Sequence, residues 1–303
     1  MYYRLLLYTL LGLLAIREAN AQDHRFDPPW NIPPASAVHF TVPGIDNVPD
    51  LYGDIVDPQL VVFFAGNQFM CIDDLLAAFK KEHPQYERIF VETLPPGILA
   101  KQIEGGSLTM GNLRITHKPD VYAAGKGRMD SMANHFSRVE TYAYNKLAIM
   151  VPKGNPKAIK DIRDLGRHDV QVAMPNPAWE GVGKQIVSVY NKIGGPSLAA
   201  RIMTEKVEKG STYLTKIHHR ESPMRILYRA ADAAPVWYSE VVYQQLLQHP
   251  VDYVAIPDED NIRATYRIGE LKNAPRAQAA KDFVDFMKSE SAKAIYRKYG
   301  FEV

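Results

Sequence analysis

Five consecutive residues, Leu60-Val-Val-Phe-Phe64, are all apolar, and a sharp loop, Ala65-Gly66-Asn67-Gln68, follows them. A strand this uniformly apolar has to be covered on both faces, which places it inside a sheet flanked by helices. The unit recurs. Met70 to His83 reads as a helix with Ile72, Leu75, Leu76 and Phe79 as its buried stripe, stopped by Pro84. Strands are predicted at Arg88–Thr93, Pro119–Ala124, Lys146–Val151, Asp169–Met174 and Ala234–Trp237. Helices are predicted at Ile98–Glu104, Ile159–Leu165, from Gly181 through Asn191, and at Lys281–Lys298 with Phe283, Phe286, Met287, Ala294 and Ile295 inward. Strand, loop and helix alternating this often imply an α/β fold with largely parallel sheets. No repeat with a period of 20 to 50 residues is present.

The chain has 303 residues, room for two ordinary domains, and 36 Lys+Arg balance 34 Asp+Glu. That balance gives no field for gathering nucleic acid or anionic lipid. Met1 to Arg4 is a short cationic start, Leu5 to Ile16 an apolar run, and Ala19-Asn20-Ala21 a small-x-small site. The pattern predicts a signal peptide over residues 1–21, cleaved to leave a protein with no direct membrane insertion. The run falls short of the ~20 apolar residues that cross a bilayer. Residues 22–58 are Pro-rich and predict an extended N-terminal arm. Cys71 is the one cysteine, so no intramolecular disulfide can form.

In open α/β sheets, ligands sit beyond the carboxyl ends of strands, where loops enter helices. Four segments have that layout: Ala65–Gln68, Ala123–Lys126, Asn176–Gly181 and the stretch after Trp237. Gly66, Gly125 and Gly181 would let backbone N–H groups approach a ligand, and free amides at a helix start favour an anion. Trp179 and Trp237 lie at strand-to-loop transitions and fit either cleft walls or core. Cys71 follows the first loop and reads as core filler or as a soft-metal ligand. His218-His219-Arg220-Glu221, ahead of Ser222-Pro223 as a helix start, could supply a ligand contact, a metal site or a solvated loop. Lys126 and Arg128 fit a solvated face or an anion contact.

The blocks Val61-Val-Phe-Phe-Ala-Gly66, Pro119-Asp-Val-Tyr-Ala-Ala124, Asn145-Lys-Leu-Ala-Ile-Met-Val-Pro-Lys-Gly154 and Lys298-Tyr-Gly-Phe301, in that order, resemble periplasmic substrate-binding proteins of ABC transporters, most of all the molybdate-binding group. The resemblance covers about residues 59–303. It implies a type II two-lobe fold with a hinge of crossing strands, lobe 1 from residues 59–143 plus 264–303 and lobe 2 from 144–263. It also implies a monomer that closes on a small-molecule or oxyanion ligand and delivers it to an ABC permease, with no enzymatic activity, no metal and no cofactor. The ligand-binding residues carried over are Gly66, Asn67, Gln68, Ala124, Gly125, Trp179, Glu180, Gly181, Trp237 and Tyr238.

The sequence departs from molybdate binders in its donors. Serine hydroxyls give way to Asn67 and Gln68 in the first loop, the second has no hydroxyl, and Glu180 enters the third. A carboxylate about 4 Å from a ligand charge costs roughly 4 kcal/mol per charge at an effective dielectric near 20. Either Glu180 points away or the ligand is not a bare dianion. A periplasmic sensor docking on a membrane receptor, or an exported enzyme using Glu180 and a neighbouring histidine, are the alternative functions.

Overall fold

The computed structural model describes residues 37–38, 50–110, 113–178, 180–216 and 219–303. The expected signal peptide, most of the Pro-rich arm, Trp179 and His218 lie outside the described residues. The first lobe runs through β1 (Ala37–Val38), β2 (Leu51–Gly53), β3 (Leu60–Phe64), a 3-10 segment (Gly66–Cys71), α1 (Ile72–Glu82), β4 (Ile89–Glu92), α2 (Pro96–Gly105), β5 (Leu108–Met110), β6 (Leu113–Ile115), β7 (Val121–Gly125), α3 (Lys126–Ser131) and β8 (Phe136–Asn145). The second lobe follows with β9 (Leu147–Pro152), β10 (Val172–Met174), α4 (Gly181–Ala200), β11 (Thr212–Leu214), α5 (Glu221–Leu227), β12 (Ala234–Trp237), α6 (Tyr238–Leu246) and β13 (Val251–Ala255). The chain then returns to the first lobe through β14 (Ala264–Leu271), α7 (Ala277–Phe286) and α8 (Glu290–Lys298).

The first lobe is built on a sheet ordered β1-β2-β4-β3-β7-β14-β8. Its centre, β3, pairs in parallel with β4 and β7, with Val62 set between Val91 and Val121. Every residue of β3 is buried. Leu60, Val62 and Phe64 face the cluster that holds Phe79 and Phe283, while Val61 and Phe63 face Leu99 and Tyr122. Period-2 alternation into two separate cores explains why this strand tolerates no polar residue. The helical stripe of α1 is buried as its spacing requires.

The second lobe centres on β9, antiparallel to both β12 and β13. The parallel pair β10–β11 joins it through a bridge from Val172 to Ala233. Both lobes are therefore mixed rather than largely parallel: parallel pairing holds where helices connect neighbouring strands, and the strands flanking the crossings run antiparallel. The chain passes between lobes at Asn145–Leu147 and again between β13 and β14. Asn261 ties the two crossings together, accepting from the Leu147 N–H at 3.0 Å and donating to its carbonyl at 2.9 Å.

Other expectations are corrected in detail. The end of the Pro-rich segment is extended, as expected, and joins the first lobe's sheet: β2 pairs with β4, and Leu51 and Tyr52 are core residues. The C-terminal helix is two helices, because the Ser289 hydroxyl accepts the Ala292 N–H and caps a new start. The restart shifts the phase, so Ala292 and Tyr296 face inward and Ala294 is exposed. The helix expected at Ile159–Leu165 is a 3-10 turn, Ile162–Gly166, capped by Asp161. α5 begins at Glu221 rather than after a Ser222 cap. α4 runs beyond Asn191 to Ala200, kinked at Gly195 ahead of Pro196.

Candidate functional site

A cleft of about 950 Å³ opens between the lobes. Asn67, Gly125 with the first residues of α3, and the start of α2 line it from the first lobe; Glu180, Gly181, Lys184, His219 and Trp237 line it from the second. The crossing strand from Ile262 to Tyr266 forms its floor. Each wall element stands where a strand ends and a helix begins, because that is where this topology leaves backbone uncovered.

The second lobe's wall is a closed polar network. Glu180 Oε1 accepts the Asn176 N–H at 3.2 Å and the Thr215 hydroxyl; Oε2 accepts the His219 N–H at 3.2 Å. Burial pushes the Glu180 carboxyl above its ordinary pKa, opposed by the nearby His219 charge and the Thr215 hydrogen bond. His219 Nδ1 lies 2.7 Å from Glu240 Oε1, and the other Glu240 oxygen accepts the Trp237 N–H at 3.2 Å. His219 occupies the left-handed region with φ +59°, unusual for a residue with a side chain and pinned here by its two carboxylate contacts. Gly183 is required beneath this wall, because a Cβ there would lie 2.4 Å from the Pro175 carbonyl oxygen.

The first lobe's wall carries less fixed polarity. Asn67 Nδ2 donates to the Tyr266 hydroxyl at 2.6 Å, which ties the first loop to the floor. Burial raises the Tyr266 phenol well above its ordinary pKa, so it remains a neutral partner. Lys126 pairs with Asp130, and Arg263 pairs with Glu302 at 2.9 Å while lying over the Tyr144 ring. Arg128 and Lys184, one from each lobe, have no ion-pair partner among the described residues.

The expected site residues divide accordingly. Asn67, Gly125, Glu180, Gly181 and Trp237 line the cleft. Gly66 and Gln68 do not, because the 3-10 turn after β3 sends only Asn67 of that turn forward, and Ala124 is buried within β7. Tyr238 does not either; its ring packs edge-on to Tyr253 at 5.3 Å, since the first residue of α6 points opposite to the last of β12. Trp179 and His218 are outside the described residues. Cys71 is fully buried, and burial raises its thiol pKa well above the ordinary value, which places it in the core. Among the described residues no three His, Cys, Asp or Glu side chains gather as metal ligands would. Arg263 and Tyr266 carry no local signal in the sequence, whereas Lys184 sits one turn into α4 from Gly181, a spacing that marks it.

The model of the bacterial extracellular solute-binding protein family matches residues 60–302. A sulfate-binding protein of Synechococcus elongatus is 27% identical over 162 residues, 51% of this chain and 46% of that one, so the match spans about half that relative's length. The molybdate-binding protein of Escherichia coli is 21% identical over 251 residues, 81% of this chain and 89% of the relative. Among solved structures, the sulfate-binding protein of Mycobacterium tuberculosis superposes with a TM-score of 0.66 at 16% identity, covering 80% of this chain and 85% of that one. With a two-lobe α/β body, a cleft at the strand ends and a family match over most of its length, the chain belongs to the bacterial extracellular solute-binding proteins.

Proposed function

We propose that the chain is the periplasmic receptor of an ABC transporter, exported by its leader, which closes as a monomer on a small organic anion and delivers it to the permease. The lobes, hinged at the two crossings, do the work by capture alone, without covalent chemistry. The observation that carries this reading is the pair of uncommitted cations, Arg128 and Lys184, on opposite walls of the cleft. An anion between them attracts both lobes, so that binding and closure are one event.

The room in the cleft and its walls support an organic body on the anion. A bare tetrahedral oxyanion fills the space of a few waters, each about 30 Å³, against about 950 Å³ here. Trp237, Val182, Ile262 and Pro96 supply apolar surface. Glu180 presents no uncompensated charge, because donors surround its carboxylate.

Calorimetric titration with glycerol 3-phosphate, glutarate, sulfate and molybdate tests the reading. An organic anion is expected to bind most tightly, and Lys184→Gln or Arg128→Gln to weaken it roughly 10- to 100-fold, the loss of one charge-assisted hydrogen bond. Preference for sulfate or molybdate would overturn the organic body, and silence towards every anion would overturn the receptor itself.

A further inference from the structure

The family match begins at residue 60, yet the residues just before it reach across to the second lobe. Arg220, on the strap between β11 and α5, turns away from its own lobe. Its Nη2 donates to Asp50 Oδ1 at 3.2 Å, and both side chains are 3% exposed. Its guanidinium carbon lies 4.1 Å from the centroid of the Phe69 ring, in the 3-10 segment that sends Asn67 into the cleft. Tyr243 of α6 meets the same ring edge-on at 5.3 Å, and the Tyr52 hydroxyl donates to the Phe69 carbonyl. Asp50 is itself fixed to the sheet: its carbonyl accepts the Thr93 N–H at 2.8 Å.

We propose that Asp50 is a positioning residue, which through Arg220 fastens the first lobe to the strap that carries His219 into the cleft and so limits how far the empty cleft opens. A guanidinium withdrawn from water needs a counter-charge. With Asp50 charged, Arg220 is held between the lobes; with Asp50 neutral, that counter-charge is gone and the hold on its long side chain weakens. The strap is then held to the first lobe less tightly. His219, the residue before Arg220, holds a left-handed conformation that depends on the strap staying where it is. The segment ahead of the shared body thus adds a buried ion pair to the aromatic contacts that α6 already makes between the lobes, and neither Asp50 nor Arg220 lines the cleft.

A wider apo ensemble lowers apparent affinity in proportion to the loss of the closure-competent population. The interlobe part of this proposal does not depend on the ligand; its effect on affinity rests on the receptor reading above. The test uses the full mature chain with spin labels at Glu104→Cys on α2 and Ser188→Cys on α4, measured by pulsed electron spin resonance without ligand. Asp50→Asn and Arg220→Gln should each broaden and lengthen the interlobe distance distribution, and the double variant should add little to either alone. Arg220→Lys, which keeps the charge and loses the planar stack, should recover part of the narrow distribution. Affinity for glycerol 3-phosphate should fall about tenfold in Asp50→Asn, a tenth of the competent population remaining. Unchanged distances in both single variants overturn the proposal whatever the ligand. Altered distances in a chain that binds none of the probe anions uphold it while overturning the receptor reading.

Discussion

The two walls of the cleft are held in place by different physics. On the first lobe, Asn67 and the Gly125 turn sit at the ends of β3 and β7, strands locked by apolar packing on both faces. On the second, Glu180 and His219 are fixed by hydrogen bonds converging on two buried carboxylates. Apolar packing spreads its stabilisation over many contacts, so one lost polar group on the first wall is tolerated. A buried polar network concentrates it, and one missing acceptor strands several donors at once.

The sharpest way to break the contrast is Glu180→Ala. It removes the acceptor of the His219 amide and the Thr215 hydroxyl and one of the two acceptors of the Asn176 amide, and should cost about 3 kcal/mol, read as a fall in Tm of roughly 6–12 °C. Glu92 in β4 probes the first lobe in the opposite sense. Burial pushes its carboxyl up to about 8, only partly offset by the Gln102 hydrogen bond at 2.9 Å. The folded chain therefore keeps this proton between the ordinary carboxyl range and pH 8 while the unfolded chain has released it, and stability drains as pH rises through that window. Glu92→Gln removes the penalty and should raise stability by about 2 kcal/mol at pH 8, with little change at pH 4; a gain equal at both pH values would disprove the assignment. Asn67→Ala gives the smallest effect, about 1 kcal/mol for one neutral hydrogen bond, seen in denaturant titration. A loss as large as that of Glu180→Ala would erase the distinction between the walls.

Much of this was legible in the chain because local patterns carry it. The uniform apolarity of Leu60–Phe64 announced a strand with two covered faces, and the spacing of Ile72, Leu75, Leu76 and Phe79 announced the helix behind it. Glu180 stands out by being acidic where an anion is expected, and the donors from Thr215 and His219 that surround its carboxylate need a fold to become visible. Direction was harder than position. Asn67 and Gln68 are neighbours, yet a 3-10 turn sends one to the cleft and buries the other; Trp237 and Tyr238 part at a strand–helix junction. Contacts between distant residues left no trace: Asn67 meets Tyr266 across 199 positions, and Arg220 meets Asp50 across 170.

Cys71 lies under the first helix, fully covered by the aromatic core. Under the export proposed above, collapse of that core is what shields the sulfur from an oxidising compartment: once the native packing forms, oxidants and foreign thiols have no path to it. Slow or incomplete maturation would instead leave a reactive group open to mixed disulfides, so that this residue makes prompt folding a chemical as well as a conformational necessity.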